Sequence, residues 1–163
     1  MRIAKPNRVA RSYTQRLVRE PARVFPLLCP VREAEWLEGW DPSLVLSHSG
    51  VVEPDCVFLT DAAPGVATWY VTQHDPAGGF VEMIKIVPDV TATRLTIHVR
   101  AVGSGSEATI TYAHTSLGPE GDTFVASFGE EHFLHFMQDW EARVNHYLTH
   151  GTMLRRGDGR EAS

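Results

Sequence analysis

Near Pro119 the apolar residues of this 163-residue chain change period. Upstream, Leu44–His48, Cys56–Asp61, Val66–His74, Phe80–Val87, Thr93–Val102 and Glu107–Ser116 read as strands. Turn signals such as Asp75-Pro76-Ala77-Gly78-Gly79 and Gly103-Ser104-Gly105 separate them. Connections this short hold no crossover helix, so neighbouring strands are expected to be antiparallel. Downstream, Phe133, Phe136, Met137, Trp140, Val144, Tyr147 and Leu148 recur at helical spacing and mark an amphipathic helix. With Pro119 near its start and Gly151 past its end, this helix is predicted to run about 30 residues, roughly 45 Å. Gly129 is expected inside it, on the apolar stripe, although an interior glycine costs about 1 kcal/mol relative to alanine.

The first strand is predicted over Val9–Val18. Two short helical pieces follow, Pro21–Leu28 and Pro30–Gly39, each opened by a proline suited to a first turn, with Pro26 breaking the first. The order predicts an α+β fold: a curved antiparallel sheet of six to seven strands wrapped around a long C-terminal helix, with two short helices after strand one. One helix covers only part of so large an apolar face, so sheet and helix are expected to splay apart around a gap. Residues 1–151 form a single domain in this reading, and 152–163 a flexible polar tail.

Fifteen basic against 20 acidic side chains give a formal charge of −5, which argues against a nucleic-acid partner. No apolar run approaches the ~20 residues of a membrane span, so no membrane insertion is expected. Cys29 and Cys56 build no disulfide framework, and Met1–Arg8 lacks the apolar run of a signal peptide; the expected location is cytoplasmic. His132 and His135 lie three apart on the last helix, but Glu130-Glu131 does not complete a His-Glu-x-x-His pattern, so no metal and no cofactor is predicted. A homodimer is left open.

Strand alternation sorts side chains by face. The inward rows are expected to hold Trp69, Val71 and Gln73; Leu95, Ile97 and Val99; Ile110, Tyr112 and His114; and, on a strand of weaker pattern, Glu82, Ile84 and Ile86. Mostly apolar with a few polar members, this is the lining of a small-molecule pocket. The predicted wall is Trp69, Val71, Ile84, Leu95, Ile97, Ile110, Tyr112, Phe133, Met137 and Trp140, with Gln73 and His114 as polar handles and Gly129 leaving room at the mouth. Trp36 and Trp40 would close one end. The catalytic candidates are Tyr112, His114 and Glu82: a tyrosine to donate to a developing enolate, a histidine near neutrality, and a desolvated carboxylate as base.

The segment Glu20–Trp40, with its Pro21-Ala22-Arg23-Val24-Phe25 and Glu35-Trp36-Leu37-Glu38-Gly39-Trp40 runs, resembles bacterial members of the SRPBCC (START-like) superfamily, which includes polyketide cyclases and a plant pollen-allergen family. Trp140–Leu148 and the Thr111-Tyr112 strand are similar to the same group, so the resemblance spans roughly Val9 to Leu154. It implies a helix-grip fold over a hydrophobic cavity. Three functions fit such a chain: binding or transport of a small hydrophobic or aromatic molecule; a cyclase- or dehydratase-like enzyme using Tyr112 and His114; and a protein-interaction module, which exposure of Trp36 and Trp40 would favour.

Overall fold

In the computed structural model, which describes residues 1–155 except 2 and 64, strand β1 (Arg8–Leu17) leads into helix α1 (Pro21–Val24). Pro26 ends α1 in a 3-10 turn over Phe25–Leu27, and a second 3-10 turn covers Arg32–Glu35. The meander follows as β2 (Leu44–Leu46), β3 (Val57–Asp61), β4 (Val66–Asp75), β5 (Phe80–Val87), β6 (Thr91–Val102) and β7 (Gly105–Ser116). These form one seven-stranded antiparallel sheet in the order β1-β7-β6-β5-β4-β3-β2.

The C-terminal part corrects the sequence reading. Instead of one long helix there are two, α2 (Pro119–Ser127) and α3 (Glu130–His150). Phe128 leaves helical geometry, and its freed carbonyl accepts a hydrogen bond from Arg11 Nε of β1 at 2.9 Å. Gly129 is therefore not interior to a helix. It is the extended N-cap of α3, and acidic Glu130 and Glu131 occupy the first turn, where the helix dipole favours them.

The inward side chains of β1 are unusually polar because they hold the helices rather than the core. Gln15 Nε2 donates to the Met137 carbonyl at 3.0 Å, and Tyr13 Oη donates to Glu141 Oε2 at 3.0 Å. The Asn145 side chain bonds the backbone of Arg16 and Val18. Together they fix α3 across the concave face, where Phe133, Met137, Trp140 and Val144 are buried. Arg143, also buried, pairs with Asp139 of α3 and Glu38 and donates to the Leu154 carbonyl. Leu154 lies within the predicted 152–163 tail, whose residues from 156 onward fall outside the described residues. Among the described residues no helix is long and apolar enough to cross a membrane.

Candidate functional site

The strand register stacks the inward side chains in rows. Phe58, Trp69, Lys85, Thr93 and His114 form one row, Val71, Met83, Leu95 and Tyr112 the next, and His74, Val81, Ile97 and Ile110 a third. Between these rows, α3 and the Pro30–Trp40 segment lies a chamber of about 130 Å³. From the sheet, Phe58, Trp69, Met83, Leu95, Ile97, Ile110 and Tyr112 line it; Phe136, Met137 and Trp140 come from α3, and Pro30, Glu33, Leu37 and Trp40 from the connecting segment.

Of the predicted wall, Trp69, Leu95, Ile97, Ile110, Tyr112, Met137 and Trp140 line this chamber. Val71 and Phe133 are buried in the core beside it. Four predicted positions lie elsewhere. A bulge between Val71 and Gln73 adds one residue to β4, so Gln73 turns outward opposite Glu82 and His74 takes the inward place, stacked on Phe25 at 5.3 Å. Glu82 and Ile84 are on the outer face: β5 carries apolar residues on both sides, and its pairing of Met83 with Leu95 decides which side is inward. Glu82 accepts a hydrogen bond from Thr72 there, at 2.7 Å. Gly129, as the cap of α3, lines no part of the chamber.

His114 faces inward but is enclosed. Its Nδ1 shares a 2.7 Å hydrogen bond with Thr93 Oγ1, and the rings of Tyr112, Phe124 and Phe128 surround it at 5.7, 4.9 and 4.4 Å. Burial, aided by the charge of Lys85, pushes its pKa down to about 4, so the imidazole is neutral near pH 7. Its buried Nε2 has no hydrogen-bond partner among the described residues. His132 and His135 are exposed on α3.

Sequence reasoning missed Glu33 and Lys85. Glu33 sits in the second 3-10 turn, whose flanking charges Arg32 and Glu35 pair with each other outside. Its carboxyl is buried, and desolvation raises its pKa to about 8. Nothing in Arg32-Glu33-Ala34-Glu35 marks which glutamate turns inward. Burial pushes the Tyr112 hydroxyl up as well, and the nearby Glu33 adds to the shift. Lys85 lies in the inward row with its ammonium 5.0 Å from the Trp69 ring centroid, and burial lowers its pKa. Trp36 is fully buried and donates to the Leu27 carbonyl at 3.0 Å, while Trp40 is half-buried and donates to the Pro30 carbonyl at 2.7 Å.

The geometry defines a class of protein: a bent antiparallel sheet gripping a C-terminal helix around an aromatic-walled chamber. No protein-family model matches the chain and no curated protein matches it. Solved structures do. Truncated norcoclaurine synthase from Thalictrum flavum superposes with a TM-score of 0.64 at 12% identity, covering 92% of this chain and 99% of that one. The same enzyme solved with dopamine and hydroxybenzaldehyde gives 0.62 at 14% identity, over 89% of each chain. Ara h 8.0201 gives 0.60 at 11% identity, over 88% of this chain and 99% of that one. DynU16, from the dynemicin biosynthetic locus, gives 0.59 at 15% identity over 88% of this chain, which spans about half (48%) of that protein. The chain thus shares the helix-grip fold of these structures.

Proposed function

We propose that this protein binds a small hydrophobic molecule carrying one aromatic ring in the chamber between sheet and α3. The observation that carries the reading is the chamber itself: about 130 Å³, walled by the rings of Trp40, Phe58, Trp69, Tyr112, Phe136 and Trp140. An apolar cavity of about 150 Å³ stays dry and accepts benzene, so this volume suits one ring and not a fused polycycle. The complex of norcoclaurine synthase with two single-ring molecules supports the same size class. Burying roughly 240 Å² of ring surface at about 25 cal/mol/Å² contributes roughly 6 kcal/mol, and association costs at least about 4, so a bare hydrocarbon binds weakly and polar contacts must add the rest.

Acid–base catalysis by Tyr112 and His114 has less support. His114 does not line the chamber, and its enclosing rings keep it from a bound molecule. A docking role for Trp36 and Trp40 is likewise unsupported, since both indole N–H groups are spent inside the fold.

The test is thermal unfolding with toluene at millimolar concentration. A rise in Tm is expected by linkage, and Ile110→Phe, which fills the chamber, should abolish it. No rise, together with unmoved methyl resonances for Met83, Leu95 and Met137, would refute the reading.

A further inference from the structure

We propose that the chamber is built for an uncharged aromatic carbonyl compound whose oxygen accepts hydrogen bonds from Glu33 and Tyr112. This rests on the single-ring reading above and adds the chemistry of the ligand's polar end.

Among the described residues, Glu33 and Tyr112 are the only ionisable side chains in the chamber wall. Glu33 is nine-tenths buried, and among the described residues neither its carboxyl nor the Tyr112 hydroxyl hydrogen-bonds another side chain. Of the three indoles in the wall, two have their N–H groups committed, Trp40 to the Pro30 carbonyl and Trp69 to Thr60, and the third belongs to Trp140 of α3. A lone carboxylate in such a wall would be strongly penalised, so the group holds its proton and becomes an O–H donor. Tyr112 stays protonated for the same reason. Glu33 and Tyr112 therefore supply two O–H donors to the chamber wall, one from the 3-10 turn and one from β7, and neither has an acceptor among the described residues.

The complementary group is an oxygen that accepts and does not donate. A neutral carboxylic acid beside a tyrosine in an apolar site is a strong donor pair for a carbonyl oxygen. A carboxylate ligand would enter with a full charge and meet no cation, because among the described residues no Lys, Arg or His lines the wall. An ammonium would require Glu33 to ionise in the same apolar surroundings.

The charged groups around Glu33 leave this assignment intact. Arg32 and Glu35 of its own turn pair with each other, with Tyr147 of α3 donating to Glu35. Arg143 of α3 is taken by Asp139 and Glu38. Lys85 of β5 lies over Trp69, outside the chamber wall. The Glu33 proton should leave only near pH 8, where burial places its pKa.

The experiment is calorimetric titration of the intact protein with benzaldehyde, styrene, benzoate and benzylamine, four rings of similar size, at pH 6.5. Benzaldehyde should bind on the order of tenfold more tightly than styrene, and benzoate and benzylamine more weakly than either. Glu33→Leu should erase the advantage, Glu33→Gln, which keeps a donor, should retain it, and Tyr112→Phe should reduce it. The carbonyl stretch of bound benzaldehyde, read in the infrared on the unaltered protein, should lie below its value in hexane. At pH 9.5 the advantage should shrink in the wild type and persist in Glu33→Gln. Benzaldehyde no tighter than styrene, an unshifted carbonyl stretch, or benzylamine or benzoate as the tightest ligand would overturn the proposal while leaving the chamber reading standing. Failure of styrene itself to bind would overturn both.

Discussion

Gly121, in α2, lies against the Val90 carbonyl so closely that a methyl group in its place would overlap that oxygen, and Ser116 Oγ stands 2.8 Å from the same point. The glycine lets the helix backbone touch the β5–β6 turn, which also accepts the Leu117 N–H on Val90 at 2.9 Å. Gly121→Ala should therefore destabilise by about 2–3 kcal/mol through overpacking and should shift α2, loosening Phe124 and Phe128 around His114. Gly129 is the contrast. A Cβ there meets only the Ser127 carbonyl at 3.9 Å, and its extended backbone is open to any residue. Gly129→Ser adds a capping hydroxyl to α3 and should be neutral or stabilising, by up to about 1 kcal/mol. Urea denaturation of the two variants measures both signs.

Two buried groups give stability opposing slopes with pH. Glu33 titrates near 4.5 unfolded and about 8 folded, so the native state keeps a proton that the unfolded chain has lost, and stability falls as pH rises through that window. His114 titrates near 6.5 unfolded and about 4 folded, so stability falls as pH drops through that lower window. Between the two unfolded values, 4.5 and 6.5, the slopes largely cancel. Above the unfolded histidine value Glu33 acts alone, and a loss of up to about 1.4 kcal/mol per pH unit is expected until its folded pKa is reached. Glu33→Gln should flatten the alkaline limb and uncover the His114 slope, so that stability of the variant falls as pH drops from about 6.5. An alkaline limb equally steep in that variant would show that Glu33 is not the group responsible.

The strands and their antiparallel order were legible because alternation and turn residues act locally, and all seven strands start and end within two residues of the positions read from sequence. The chamber was legible only in part. Trp69, Leu95, Ile97, Ile110 and Tyr112 follow from period two alone, whereas Gln73 was misplaced because a single extra residue inverts every side chain beyond it. Glu82 and Ile84 failed for a different reason: with apolar residues on both faces of β5, alternation carries no sign until Met83 finds Leu95. The break at Phe128-Gly129 depends on Arg11, over a hundred positions earlier in the chain, capturing a carbonyl, which no helical pattern encodes. Glu33 was hidden by its charge. Glutamates are rarely buried, so a glutamate in a charged turn reads as exposed, whereas here Arg32 pairs with Glu35 and Glu33 faces in.

Gln15 offers a separate measure of how firmly α3 is held. Its side chain is fully buried; Nε2 donates to the Met137 carbonyl, while Oε1 has no partner among the described residues. Gln15→Leu removes the donor and the orphaned oxygen together, and the Met137 carbonyl keeps its place in the helix ladder, so the cost should be within about 1 kcal/mol. Gln15→Ala also leaves a void and should cost about 2–4 kcal/mol. If instead the leucine variant is as damaged as the alanine one, the hydrogen bond rather than the filled volume anchors the helix.

Met137 is the point where that anchoring meets ligand size. Its side chain lines the chamber and is buried, while its carbonyl is the atom Gln15 holds. Met137→Ala deletes everything beyond Cβ without disturbing the main-chain contact, so the backbone should stay in place and the chamber should grow. The expected cost is about 2–4 kcal/mol, rising with whatever volume fails to collapse. Part of it should return when a larger molecule fills the space, because a ligand that binds only the folded state adds stability in proportion to the logarithm of its concentration over Kd. Naphthalene, too large for about 130 Å³, should leave the wild-type Tm unchanged and raise that of Met137→Ala, whereas toluene should raise both. Equal naphthalene shifts in the two proteins would mean that the chamber opens readily around larger guests, and that its walls do not set the size limit.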